Sequence, residues 1–388
     1  MPDQTIYENA MPVGPLKLAV LESCKSFGSV VNDYLVDFRH HSPLFRPRED
    51  LHLPGYCEDS YLLDCSCPRF GTGEGKGQIN ESVRGCDLFI LVDVTNYSLT
   101  YNVCGHENHM SPDNHYQDLK RIISAANGKA KRINVIMPFL YEGRQHKRSM
   151  RESLDCSLAL QELTSMGVTN IITFDAHDPR VQNAIPLHGF DSFMPSYQFL
   201  KALVNHVPDL MFDSDHLMVI SPDEGALDRS VYFANILGVG MGMFYKRRDY
   251  SRIVNGKNPI VAHEFLGEPV DGKDVLVIDD MISSGESMLD VCKQLRERNA
   301  RRVIVCTTFG LFTDGLAKFD EYYEKGYLFR VITTNLSYRS EELLARPYYI
   351  EADMTKYLAS IIDHVNHDVS ISSIQSPTGK LQELLATL

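Results

Sequence analysis

The chain has 388 residues, 44% of them hydrophobic and 23% charged, which suffices for two ordinary domains with buried cores and excludes a disordered or fibrous protein. Its formal charge of −13 argues against a general nucleic-acid binder, because phosphate backbones are held by a surplus of Lys and Arg. Any anionic ligand must therefore be met by local basic clusters in loops. The opening stretch MPDQTIYENAMPVGPLKLAV lacks the basic start, apolar run and cleavage site of a secretory signal, and no segment approaches the roughly 20 apolar residues of a membrane helix. Nine irregularly spaced cysteines argue against a disulfide framework and for a reducing, cytoplasmic compartment; Cys65 and Cys67, one residue apart, do not have CxxC spacing.

Along the chain, short apolar runs recur, each ending in a Gly, Pro or Asp break before a helical pattern. This alternation predicts an α/β protein with mostly parallel sheet covered by helices. The clearest strands are Leu88–Val92, Asn134–Met137, Ile171–Phe174, Leu217–Ile220, Val275–Ile278 and Val303–Cys306. Between the last two, Met288, Leu289, Cys292 and Leu295 recur at helical spacing over Glu286–Arg298, completing a βαβ unit. The segment Tyr97–Asp113 reads as a polar loop. Cys104, His106, His109 and the nearby His115 could bind a metal there, although such a cluster is more often solvated. A domain boundary is expected in the Pro-containing stretch Ile185–Pro195.

In open α/β sheets ligands sit beyond the carboxyl ends of the strands, which draws attention to DVLVIDDMISSGESMLD. Asp279 and Asp280 end a strand, where carboxylates can accept hydrogen bonds from the vicinal hydroxyls of a sugar. Ser283, Ser284, Gly285 and Ser287 then open a helix, offering N–H groups, hydroxyls and the positive end of the helix dipole to a phosphate. Diol acceptors beside a phosphate cradle describe a 5-phosphorylated ribose. A serine-capped helix with no ligand would show the same pattern.

This turn resembles the phosphoribosyl-diphosphate motif shared by type I phosphoribosyltransferases and ribose-phosphate diphosphokinases, and further segments resemble the diphosphokinases in particular. RFGTGEGKGQINESVRGCD resembles their adenine-holding segment, which implies ATP contacts from Phe70, Thr72 and Glu74. NVIMPFLYEGRQHKR resembles their strand and basic loop, with Arg144 and Gln145 in the nucleotide-contacting places. FDAHDPRVQN brings His177 to the position near magnesium and the reacting phosphates, SPDEGALDR brings Asp223 to that of a metal-linked aspartate, and MFYKRRDY brings Lys246 and Arg248 to that of a catalytic basic pair.

The resemblance implies two type I phosphoribosyltransferase-like domains, each a mostly parallel sheet flanked by helices. An extension over 1–15 is expected to precede an ATP-side domain over 16–195 and a ribose 5-phosphate-side domain over 196–345. A segment over 346–388 is expected to pack back on the first. It implies magnesium-dependent transfer of the diphosphoryl group of ATP to the C1 hydroxyl of ribose 5-phosphate, giving phosphoribosyl diphosphate and AMP. Arg144, Lys246, Arg248 and His177 would serve the chemistry, and His177 and Asp223 the metal. It further implies a homo-oligomer with shared sites, and no nucleic-acid or membrane partner.

The sequence also departs from the family's pattern. Glu286 stands where a small Gly is usual, and its carboxylate is expected to repel the 5-phosphate unless it points to solvent; Ser283 replaces a common aspartate. Two other functions therefore stand beside the active enzyme: a catalytically silent subunit that binds active relatives, and a phosphoribosyltransferase that consumes the product.

Overall fold

In the computed structural model, residues 10–41, 54–148, 150–248, 260–375 and 378–386 are described. The chain divides into two compact units. The first runs to Met194 and takes back Asn335–Tyr338 and the stretch that begins at Asp353; the second holds Pro195–Thr334, Arg339–Ala352 and the last helix.

The first unit comprises β1 (Leu16–Val20), α1 (Lys25–His41), the short pair β2 (Cys65–Ser66) and β3 (Gln78–Ile79), β4 (Asp87–Leu91), β5 (Thr100–Val103), β6 (His106–His109), α2 (Pro112–Ala126), β7 (Arg132–Ile136), α3 (Asp155–Ser165), β8 (Asn170–Phe174) and β9 (Gly189–Phe193). Its main sheet has the order β1-β4-β7-β8-β9, every pair parallel. A parallel sheet covered on both faces needs near-continuous apolar strands, and β4 is buried at all five positions. Asp87 opens that strand fully buried. Its carboxylate accepts two hydrogen bonds from Arg132, at 2.8 and 2.7 Å, and one each from Asn134 and Asn366, at 2.8 and 2.9 Å. A buried carboxylate is tolerated only with that degree of pairing.

The second unit comprises α4 (Ser196–His206), β10 (Leu217–Ser221), α5 (Leu227–Leu237), β11 (Gly240–Arg248), β12 (Ile260–Leu266), β13 (Asp274–Ile282), α6 (Glu286–Glu297), β14 (Arg302–Gly310), α7 (Ala317–Glu324), β15 (Arg330–Thr334), α8 (Glu341–Leu344) and β16 (Tyr349–Ala352). Beyond β16, α9 (Thr355–Asn366) and α10 (Ser372–Gln375) belong to the first unit and α11 (Thr378–Ala386) to the second. The sheet order is β12-β11-β10-β13-β14-β15-β16, parallel except for β12, which runs antiparallel on the edge. The expected α/β class with two mostly parallel sheets is what the chain adopts. Helix α6 buries Met288, Leu289, Cys292 and Leu295, as their spacing predicts, together with Val291.

One expectation is corrected. Tyr97–Asp113 is not a loop: β5 and β6 pair as an antiparallel hairpin, and α2 starts at Pro112. Val103 faces His106 across the two-residue turn Cys104–Gly105, whose φ values are 50° and 84°. Two consecutive positive φ values make a type I′ turn, whose twist matches that of the flanking strands. His106 and His109 are exposed, and His115 is buried in α2 with Nε2 donating to the Asn96 carbonyl at 2.7 Å. Among the described residues no group of three or more His, Cys, Asp or Glu side chains is arranged to hold a metal, and no helix is long and apolar enough to cross a membrane.

Candidate functional site

The order of the second sheet fixes where a ligand crevice can open. From β10 the chain passes through α5 to β11 on one side, whereas β13 lies on the other side of β10. The loops leaving β10 and β13 therefore diverge, and the carboxyl ends of these two neighbours form the topological switch point. Asp223 follows β10, and Asp279 and Asp280 end β13.

Asp279 Oδ1 accepts from the Asp280 backbone N–H at 2.9 Å and lies 3.8 Å from the Arg229 guanidinium. Burial, and next the Asp280 carboxylate, hold the Asp279 carboxyl well above its ordinary value, while Arg229 pulls the other way. A carboxylate held in this unfavourable state gains when hydroxyl donors or a cation arrive. Asp223 is half-buried, and one of its oxygens accepts from the Gly225 N–H at 3.0 Å to cap the short turn Glu224–Ala226.

After β13 the chain turns through Ser283 and Ser284 into Gly285, the N-cap of α6, at φ 84° and ψ −7°. This left-handed position favours glycine, and a Cβ built there would collide with the Phe319 ring. The Ser283 carbonyl accepts from Thr313 N–H at 3.0 Å, tying the turn to the loop after β14. Ser283 and Ser284 are half-buried and Ser287 exposed, so hydroxyls and the first-turn N–H groups of α6 sit together, with Glu286 N–H donating to Ser284 Oγ at 3.4 Å. The Glu286 side chain is 79% exposed and lies 3.5 Å from Lys318 Nζ. The offending carboxylate thus faces solvent, paired with a lysine.

The residues expected at the nucleotide fall into two clusters in the first unit. Phe70, Thr72 and Glu74 share one tight loop: Phe70 N–H donates to the Glu74 carbonyl at 2.7 Å, Gly73 N–H to the Phe70 carbonyl at 2.8 Å, and the Thr72 hydroxyl to the Glu74 carboxylate at 2.9 Å. Phe70 is 55% exposed. The loop is anchored by Arg69, which makes two 2.7 Å hydrogen bonds to Asp118 on α2.

The second cluster lies past the carboxyl ends of the neighbouring strands β7 and β8. Arg144 is exposed there, and Gln145 is braced through Nε2 to the Ser153 carbonyl at 2.9 Å. His177 is exposed, its ring 5.4 Å from that of His146. Two residues before it, Asp175 has φ 41°, a left-handed value that Asp tolerates better than most residues. His146 and Asp178, which the sequence reading did not single out, complete the cluster. His146 Nε2 is 3.4 Å from Asp178 Oδ2, and burial lowers the His146 pKa. Hydrogen bonds from Arg180 hold the Asp178 carboxyl down at about 2. The charge-dense RQHKR run was the available signal for His146. Lys246 and Arg248 lie on β11, Lys246 opposite His263 and Arg248 opposite Ile260, with a register shift between Arg247 and Arg248. Their side chains lie outside the described part of the structure.

The second unit is a mostly parallel sheet with an acidic pair and a glycine-capped turn at its switch point, and residues 200–338 match the phosphoribosyl transferase domain family. Residues 16–167 match the family described as the N-terminal domain of ribose phosphate pyrophosphokinase. The chain is 30% identical over 257 residues to a ribose-phosphate pyrophosphokinase of Thermosipho africanus, covering 66% of this chain and 73% of that one. It is 27% identical over 316 residues to another from Vibrio parahaemolyticus, covering 81% and 91%. Its fold is that of the phosphoribosylpyrophosphate synthetase from Mycobacterium smegmatis, at a TM-score of 0.70 and 23% identity over 91% of this chain and 99% of that one. The chain belongs to the ribose-phosphate pyrophosphokinase family.

Proposed function

We propose that this chain is an active, magnesium-dependent ribose-phosphate diphosphokinase. The observation that carries the reading is the pairing of Asp279–Asp280 with the Gly285-capped turn at the switch point of the second sheet, in a chain whose first unit adds an exposed aromatic loop and a basic cluster. The C1 hydroxyl oxygen of ribose 5-phosphate attacks the β-phosphorus of ATP. The bond from that phosphorus to the oxygen bridging to the α-phosphate breaks, AMP leaves with the electron pair, and the hydroxyl proton is lost to solvent. The carboxylates of Asp279 and Asp280 would accept from the ribose hydroxyls, and Ser283, Ser284, Gly285 and Ser287 would hold the 5-phosphate. Phe70, Thr72 and Glu74 would meet the adenine, and Arg144 and Gln145 the nucleotide. Arg144, Lys246 and Arg248 would stabilise the charge that builds on the leaving oxygen, a contact worth several orders of magnitude in rate.

Magnesium binds oxygen ligands while keeping waters and substrate phosphates, so one or two protein groups suffice. The carboxylate of Asp223, beside the acidic pair of β13, fits that requirement, and His177 would lie near the metal. When bound, the ion would draw charge from the transferred phosphates. As in the family it resembles, the chain would form a homo-oligomer in which this loop meets nucleotide held by a second copy.

The test is to incubate the chain with magnesium, ATP and ribose 5-phosphate and to quantify AMP and phosphoribosyl diphosphate. Equimolar formation of both is expected. ADP in place of AMP would mean simple phosphoryl transfer, and no turnover at any magnesium or phosphate concentration would identify the silent, partner-binding subunit. Because Glu286 is exposed and paired, Glu286→Gln is expected to change ribose 5-phosphate affinity by less than about threefold, since exposed, screened charges act weakly. A tenfold gain by calorimetric titration would mean that the carboxylate does face the phosphate.

A further inference from the structure

We infer that the β5–β6 hairpin is a positioning clamp for the loop Phe70–Glu74, so that recognition of the nucleobase depends on Tyr101 and Val103 acting through that loop. The inference rests on the proposed adenine contact of the loop and goes beyond it, because it makes base recognition the work of a second element.

Three contacts join hairpin and loop. The N–H of Cys104, at the hairpin's tip, donates to the Gly71 carbonyl at 2.8 Å. Val103 closes over Gly73: a Cβ built on that glycine, whose φ is 89°, would lie 2.8 Å from Val103 Cγ2. The Tyr101 ring lies under the Arg69 guanidinium, 5.3 Å from centroid to Cζ, within the range of a cation–π contact. The hairpin itself is fixed at its base. The Tyr101 hydroxyl donates to Asn114 Oδ1 at 3.2 Å, and Asn114 forms a capping box with Ser111 at the start of α2.

Cys65 and Cys67, on the segment leading into the loop, pack against the core on one side and, with Arg69, Leu99, Tyr101 and Met110, line a pocket of about 280 Å³ on the other. The loop itself is held at its edges, by the Arg69–Asp118 pair and by the hairpin. A shift of about 1 Å in a positioning element can cost orders of magnitude in a bound complex.

The test measures ATP, inorganic tripolyphosphate and ribose 5-phosphate affinities by calorimetry on the full chain. The ratio of ATP to tripolyphosphate affinity isolates what the base contributes. In the Tyr101→Ala/Val103→Ala variant ATP affinity is expected to fall about tenfold, with tripolyphosphate and ribose 5-phosphate affinities within about twofold of native. Tyr101→Phe, which keeps the ring over Arg69 and loses only the hydroxyl's bond to Asn114, should lose less ATP affinity than the double variant. An unchanged ATP to tripolyphosphate ratio in the double variant overturns the inference, as does an equal loss for all three ligands. If the double variant does not fold, Val103→Ala alone decides the matter by the same ratio. Phe70→Ala separates the two levels: if it weakens ATP binding while the hairpin variants do not, the clamp alone is wrong. If Phe70→Ala has no effect either, the adenine reading of the loop fails and the clamp with it.

Discussion

Gly285→Ala is expected to weaken ribose 5-phosphate binding by about a hundredfold or more and to destabilise the chain by about 2–3 kcal/mol. Two costs add. The residue sits at φ 84°, where a side chain costs about 1 kcal/mol or more, and the new methyl would enter the space of the Phe319 ring. Phe319 is fully buried and packed edge-on against Phe312 with centroids 5.0 Å apart, so it cannot swing away cheaply. The turn must then move, carrying with it the N–H groups that start α6 and the Ser283 carbonyl held by Thr313. Phosphate binding at a helix start depends on those N–H directions, so affinity should fall further than stability. Shrinking the ring in Gly285→Ala/Phe319→Leu is expected to recover part of the stability and little of the affinity. Denaturant midpoints and calorimetric titration read the two effects separately. Binding within about threefold of native in Gly285→Ala would mean that the phosphate does not sit on this turn.

The contrast between Gly285 and Glu286 shows what was legible in the sequence. Apolar runs ending in Asp or Gly mark fully buried parallel strands, so the cores of β4, β8, β10, β13 and β14 could be read directly, and the acidic pair of β13 with them. The fate of Glu286 could not. Whether a side chain at the first helical position turns to the ligand or to solvent depends on Lys318, which is distant in sequence and arrives on α7. The same limit explains the hairpin. Cys104–Gly105 is not an Asn-Gly or Asp-Gly turn, and β5 and β6 are too polar to announce strands, because β6 is exposed throughout and β5 is exposed at alternate positions. The His146–Asp178 pairing was hidden for a third reason: it joins loops from two different strands, and only the order β7-β8 in the sheet makes them neighbours.

Asp279→Asn should show function and stability pulling apart at one residue. Burial and the neighbouring Asp280 raise the Asp279 pKa above its ordinary value of 3.8, so the folded state disfavours the charged form that the unfolded chain adopts readily. With the folded pKa above the unfolded one, Asp279 contributes stability that is fully present below about pH 4 and is lost as pH rises through the raised folded value. The amide cannot ionise and escapes that loss. Asp279→Asn is therefore expected to be more stable than the native chain at pH 7, by about 1 kcal/mol after relaxation around Arg229, and to show a flatter dependence of stability on pH above 4. Ligand binding should move the other way. Ribose hydroxyls donate strongly to a carboxylate and weakly to an amide oxygen, so ribose 5-phosphate affinity should fall by about a hundredfold. In the native chain the same hydroxyls favour the ionised form, so calorimetric titration should show ribose 5-phosphate binding tighten as pH rises through the raised Asp279 value. That dependence should be smaller in Asp279→Asn. A variant that is less stable than native at pH 7, or that binds the sugar phosphate as tightly, would show that this carboxylate is a structural member of the sheet end and not the acceptor of the ribose diol.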